Sequence, residues 1–229
     1  MARILGAAKT GLSTAMLLLS TSCLAMEIVR VPNCTGDVLK LSGDIRLGDF
    51  ARFRGFVGAE RRVRGVDLDS GGGSLDEGFR IAMLAHRRQL TTYVSGECDS
   101  ACAFIFLTSR KRYVSPDARI GVHSVSNEHG NEDNGTIRDT IKLARLMAKH
   151  GISPSAIGKM VATPPGKMSY LNKDDLAALK VIVRNPFDRI IRTSAAQARK
   201  GTSTCGMGAS NTVSNEDGPA LTGSGGKKS

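Results

Sequence analysis

From Val38 the spacing of apolar residues switches repeatedly between a period of two and a period of three to four. "VLKLSG" from Val38 predicts a short strand and "LGDFARFRGFV" from Leu47 a short helix. "RVRGVDLDS" predicts a strand through Val63, Val66 and Leu68 that is closed by glycines. "SLDEGFRIAMLAHRRQL" then places Leu75, Phe79, Ala82, Met83 and Leu90 at helical spacing. Ser74 stands as N-cap with Glu77 three residues on, the signature of a capping box. "TTYVSG" is the next strand and "SACAFIFLTS" a helix apolar on all sides. "RYVSPDARIGVHS" holds a pair of strands around a Ser-Pro-Asp turn, and "TIRDTIKLARLMAKHG" is an amphipathic helix stopped by Gly151. Two short helices beginning near Ser153 and Lys173 flank the turn-forming "TPPG". Strands alternating with helices over about 150 residues predict an α/β layered domain with mainly parallel strands.

The two ends of the chain break this pattern. Arg3 and Lys9 precede the apolar run "GLSTAMLLLSTSCLA", which ends in small residues, so residues 1–25 read as a secretory signal with Met26 as the first mature residue. The run is short and rich in Ser and Thr, which argues against an uncleaved membrane anchor, and "LSTS" is a poor lipidation sequence before Cys23. The folded domain is expected over residues 26–193. Residues 194–229 are dominated by Ser, Thr, Gly and Ala, with almost no large apolar side chains to bury, and are expected to be a disordered tail.

Composition narrows the function. The chain has 229 residues and a formal net charge of +11, which losing Arg3 and Lys9 would lower to +9. A basic exported protein would meet an anionic envelope surface or an acidic partner rather than nucleic acid. Three Tyr, seven Phe and no Trp also leave few rings for base stacking. The expected location is periplasmic or secreted. There the cysteines left after cleavage, Cys34, Cys98, Cys102 and Cys205, would be oxidised. Four cysteines allow three pairings. Cys98 with Cys102 is favoured by proximity across a turn into a helix, and no CxxC or cysteine–histidine grouping predicts a metal site.

Three segments can carry chemistry. "DLDSGGGSLDEG" puts three glycines between a strand and a helix, where open amide groups suit an incoming anionic oxygen. The P-loop lacks its Lys-Ser/Thr here, and Asp76 stands where a dinucleotide fingerprint needs its last glycine. A tight turn alone would also use these glycines. "GECDSACAFIF" sets Ser100 at the mouth of an apolar helix, as a helix cap, a nucleophile or a small residue in a turn. "ARIGVHSVS" supplies His123, either a base for that serine or a satisfied core histidine. His86, His129 and His150 read as structural or solvated.

In this order the three segments resemble the Clp-type protease subunit of the ClpP/crotonase superfamily, over Val38 to Val183. "DSGGG" stands for that family's glycine turn, Ser100 for its nucleophile and His123, after "SPDARIGV", for its base. The resemblance implies a spiral of ββα units. It implies an exported serine-type peptidase in which Ser100 attacks a carbonyl, His123 moves the proton, and the N–H groups of Gly73 and Ala101 hold the oxyanion. No cofactor or metal is implied. The expected partners are a peptide or protein substrate, a second copy of the chain, and an anionic envelope surface. The orienting acid does not carry over. The chain reads "ATPPGKM" there, with Thr163 nearest in register, while Asp174 and Asp175 come later and are expected to face solvent at a helix start. The missing acid favours a second reading, an inactive binding or scaffold protein of the same fold. Acyl-CoA chemistry is disfavoured because it leaves the Ser/His pair without a purpose. Against that family the Cys98–Cys102 bond reads as a brace for the loop that carries Ser100.

Overall fold

The computed structural model describes residues 25–33, 36–59 and 62–188. The residues expected to form a secretory signal, apart from Ala25, and those expected to form the tail lie outside the described residues, as do Cys34 and Cys205.

Among the described residues, eight strands form one mixed sheet accompanied by six helices. In chain order they are β1 (Glu27–Val31), β2 (Asp37–Ser42), α1 (Asp49–Gly58), β3 (Val63–Ser70), α2 (Leu75–Arg87), β4 (Thr91–Asp99) and α3 (Ala101–Thr108). Then follow β5 (Lys111–Val114), β6 (Arg119–Val122), α4 (Asn134–Lys149), α5 (Pro154–Ala162), β7 (Ser169–Tyr170), α6 (Lys173–Ala178) and β8 (Ile182–Val183). β2, β3, β4, β5 and β8 run parallel in that order. β1 adds antiparallel to β2, and β7 antiparallel to β6.

The strands around "SPDAR" do not pair with one another. β5 lies along Thr91–Val94 and β6 along Glu97–Asp99, both parallel to β4, so the Ser-Pro-Asp turn steps the chain forward along one neighbour. The turn is closed by Ala118 N–H donating to the Ser115 carbonyl at 3.1 Å. Stepping forward instead of folding back is what carries His123 to the end of β4.

The ends of α4 and α6 follow local chemistry. Asp133 and Asn172 make reciprocal capping boxes for α4 and α6, and Gly151 takes a φ of 73° just beyond α4. At α2 the box is only half made. Ser74 accepts from Glu77 N, but the buried Glu77 carboxylate accepts from the Phe50 N–H at 2.7 Å and so ties α1 to α2.

The core lies between the sheet and the helices, where Leu39, Leu41, Val66, Leu68 and Val94 meet Phe53, Ile81, Ile105 and Phe106. Every residue of α3 is buried, which accounts for its unbroken apolar sequence. Phe79 of α2 stacks on Phe104 of α3 with ring centroids 5.7 Å apart. At Gly78 a Cβ would stand 3.0 Å from Ala101 Cβ, so this glycine lets the two helix starts approach. The glycine turn before α2 and the serine before α3 thereby become neighbours.

Candidate active site

β3 and β4 are parallel, and a register shift after Leu68 brings Ser70 opposite Cys98, so the segments that leave them emerge at one edge of the sheet. Gly72 and Gly73 follow β3 with φ of 98° and 127°. A Cβ on Gly72 would lie 2.7 Å from Ser100 Cβ and 2.6 Å from the Asp99 carbonyl, so only glycine allows this approach. Ile45 holds the turn from the other side, donating to the Gly72 carbonyl at 2.7 Å and accepting from Ser74 N–H at 2.8 Å. Gly73 lies between those two bonds, and its own N–H makes no hydrogen bond among the described residues.

Ser100 occupies the N-cap position of α3 without capping it. Its hydroxyl makes no bond to the helix, and its backbone stands at φ 54°, ψ −120°, a combination that favours glycine. The position is fixed by Ser100 N–H donating to the Gly121 carbonyl at 2.9 Å and by a disulfide between Cys98 and Cys102, which bracket it with Cα atoms 5.1 Å apart. Both cysteines are fully buried. The Ala101 N–H, at the first position of α3 and aligned with the helix dipole, makes no hydrogen bond among the described residues.

Because Asp99 pairs with Gly121, His123 comes immediately past the level of Ser100. Its Nδ1 lies 2.6 Å from the Ser124 carbonyl, a bond in which Nδ1–H donates and Nε2 keeps a lone pair. Ser124 is anchored in turn. Its N–H donates to the Thr163 carbonyl at 2.8 Å and its hydroxyl to Glu132 at 2.5 Å. A backbone carbonyl thus orients the imidazole, and no carboxylate is bonded to it. The Thr163 hydroxyl donates to the Lys159 carbonyl at 2.6 Å.

Gly73, Ser100, Ala101 and His123 all line one cavity of about 270 Å³. Its depth is apolar, with Phe104, Leu107, Leu143, Met147 and Met160, and its rim carries Asn127 and Glu128. No hydrogen bond joins the Ser100 hydroxyl to the His123 ring. Such pairs commonly tighten only around a substrate.

Sequence reasoning missed two features here. Asp175 does not face solvent. It is 2% exposed and binds Ser155 Oγ, Lys159 Nζ and Asn172 N, which locks α5 to α6. Asp174 is exposed, as expected. Asp99, next to the serine, is 6% exposed and its Oδ1 has no hydrogen-bond partner among the described residues. Burial, reinforced by the charge of Glu97, pushes its carboxyl up to about 6. Tyr170 donates to Glu97 at 3.0 Å and to Asp99 at 3.4 Å, and Arg119 pairs with Glu97 at 3.2 Å. A charged residue beside an apolar helix was the only signal in the sequence.

Among the described residues, no group of three or more His, Cys, Asp or Glu is placed to hold a metal ion, and no helix is long and apolar enough to cross a membrane. No known family model matches the chain, and no curated protein matches it.

Proposed function

We propose that this protein is an exported serine hydrolase of the ClpP/crotonase type, acting on peptides through Ser100 and His123. One observation carries the reading. Ser100 stands in a glycine-favouring conformation with its hydroxyl uncommitted, on the wall of the cavity that His123 and the amide donors of Gly73 and Ala101 also line. Structural serines at helix starts use their hydroxyl to cap, and strain of this kind collects at functional positions. The succession β3–α2–β4–α3 with parallel strands supports the ββα spiral. The leader-like residues 1–25 support export to the periplasm or beyond.

In this mechanism Ser100 Oγ attacks the substrate carbonyl while His123 Nε2 takes its proton. The oxygen that becomes negative accepts from Gly73 N–H and Ala101 N–H, and His123 then protonates the leaving amine. Water repeats the sequence on the acyl-enzyme. The Ser124 carbonyl fills the orienting role usually given to a carboxylate. It fixes the tautomer but gives the imidazolium less electrostatic support.

A fluorophosphonate probe is expected to label Ser100 in the folded protein, and labelling should disappear in Ser100→Ala and fall at least tenfold in His123→Ala. Labelling that is absent, or that persists in Ser100→Ala, would sink the reading. The absence of a carboxylate on His123 favours a second one, a binding module of the same fold that holds an envelope partner. Retention of such a partner would survive Ser100→Ala and fail when surface Arg or Lys are reversed.

A further inference from the structure

Asp49 opens α1 and is completely buried, yet it serves only in part to start the helix. Its Oδ2 accepts from Arg46 N–H at 2.7 Å and from the backbone nitrogen of Met26 at 3.3 Å. Its Oδ1 takes Arg52 Nη1 at 2.8 Å, and the same guanidinium nitrogen donates to the Met26 carbonyl at 2.7 Å. Met26 is itself 1% exposed, whereas Ala25 is at the surface. The chain therefore enters the core at the Ala25–Met26 peptide bond. The small residues Cys23 and Ala25 stand three and one positions before that bond, the spacing a leader-removing peptidase requires.

We propose that cleavage at this bond makes the Met26 nitrogen an α-ammonium received by the buried Asp49 carboxylate, and that this ion pair fastens the glycine turn of the site. A leader peptidase adds water across the bond. The C–N bond breaks, the hydroxyl stays on the Ala25 carbonyl, and the Met26 nitrogen, with the proton from water and the proton released by the new carboxylic acid, becomes NH₃⁺. A buried carboxylate gains far more from a full positive charge at this distance than from an amide, because little water intervenes. Arg52, the existing counter-charge, is nearly half exposed and partly screened.

The connection to the site is short. Asp49 holds Arg46 N–H, Arg46 follows Ile45, and Ile45 bonds on both sides of Gly73, whose absent Cβ would stand in contact with the Ile45 carbonyl oxygen. Firming the 45–49 turn therefore firms the amide assigned to the oxyanion. The ion pair itself does not depend on the hydrolase reading and is tested without activity.

The full chain, exported into a bacterial periplasm and purified, should begin at Met26 by intact mass and N-terminal sequencing. Two otherwise identical proteins, released by a tag protease to begin at Met26 or at Ala25, then isolate the charge. The Met26 protein should melt about 3–8 °C higher. Its α-amine should react at least tenfold more slowly with an acylating reagent, and its Ile45 and Ser74 amides should exchange more slowly. In Asp49→Asn these differences should vanish. Should that variant not fold, the two wild-type lengths still decide. A mature chain that begins elsewhere, including one lipidated at Cys23, would overturn the proposal, and so would equal melting and equal acylation of the two lengths.

Discussion

At φ 54° and ψ −120° glycine has no steric cost and serine does, so position 100 carries a strain that glycine would not. The sequence showed a serine at a helix start and left its role open between cap and nucleophile, because backbone dihedrals are not written in residue type. The contacts that fix its conformation are long-range: Ser100 N–H to the Gly121 carbonyl, and the close approach of Gly72 to Ser100 Cβ. The same limit hid Ser124, whose carbonyl holds His123, since any residue carries a carbonyl. Strain makes a prediction that capping does not. Ser100→Gly should raise stability by about 0.5–1 kcal/mol, seen as a rise in Tm of roughly 1–4 °C, while abolishing probe labelling. Ser100→Ala should abolish labelling without that gain. A Ser100→Gly protein that melts below the wild type would mean that the serine conformation is held by interactions worth more than its strain.

The elements that position the site were the ones best marked along the chain. β2, β3, α2 and α4 carry clear periods, α3 is an unbroken apolar run, and proximity favoured Cys98–Cys102 among the three possible pairings. β7 and β8 are two residues each, too short to show a period, and β1 follows closely on the apolar run Gly11–Ala25, with which its apolar residues blend. The forward step from β5 to β6 was read as a strand pair because a turn signal does not say whether the chain reverses. Burial of Asp175 depends on Lys159 and Ser155, which sit on another helix. The disulfide joins the last turn of β4 to the first turn of α3 and closes a very small loop, so loop-closure entropy gives only about 2 kcal/mol. Its effect should therefore be mainly local. A Cys98→Ala/Cys102→Ala protein is expected to fold with a Tm lowered by roughly 4–8 °C, and its rate of labelling at Ser100 should fall by more than the loss of folded protein explains. Unchanged labelling in that variant would show that the bond braces nothing at the site.

Across the whole molecule two ionisable groups, half-buried His150 and buried Asp99, pull stability in opposite directions as pH falls. His150, at the end of α4, meets His86 of α2 edge to face with centroids 4.8 Å apart, and His86 Nδ1 is bonded to the carbonyl of Thr108, the last residue of α3. Burial, and secondarily the neighbouring His86, hold His150 below the usual 6.5. The unfolded chain therefore takes up this proton first. The stability contributed is whole above pH 6.5 and is lost as pH falls through the folded value. Asp99 acts with the opposite sign. Its folded value near 6 lies above the ordinary 3.8, so the folded form binds the proton first and gains stability as pH drops from about 6 toward 3.8. Asp67, also raised by burial, adds to that gain, whereas Asp133 and Asp175 are held below 3.8 and change charge only at lower pH. Below about pH 6 the two effects therefore oppose each other. Removing either one should expose the other. Melting curves in that range should show Tm of His150→Gln falling less than wild type, or rising, on acidification, and Tm of Asp99→Asn falling more. Slopes that shift in the same direction in both variants would contradict the opposed signs, and with them the burial assigned to one of the two groups.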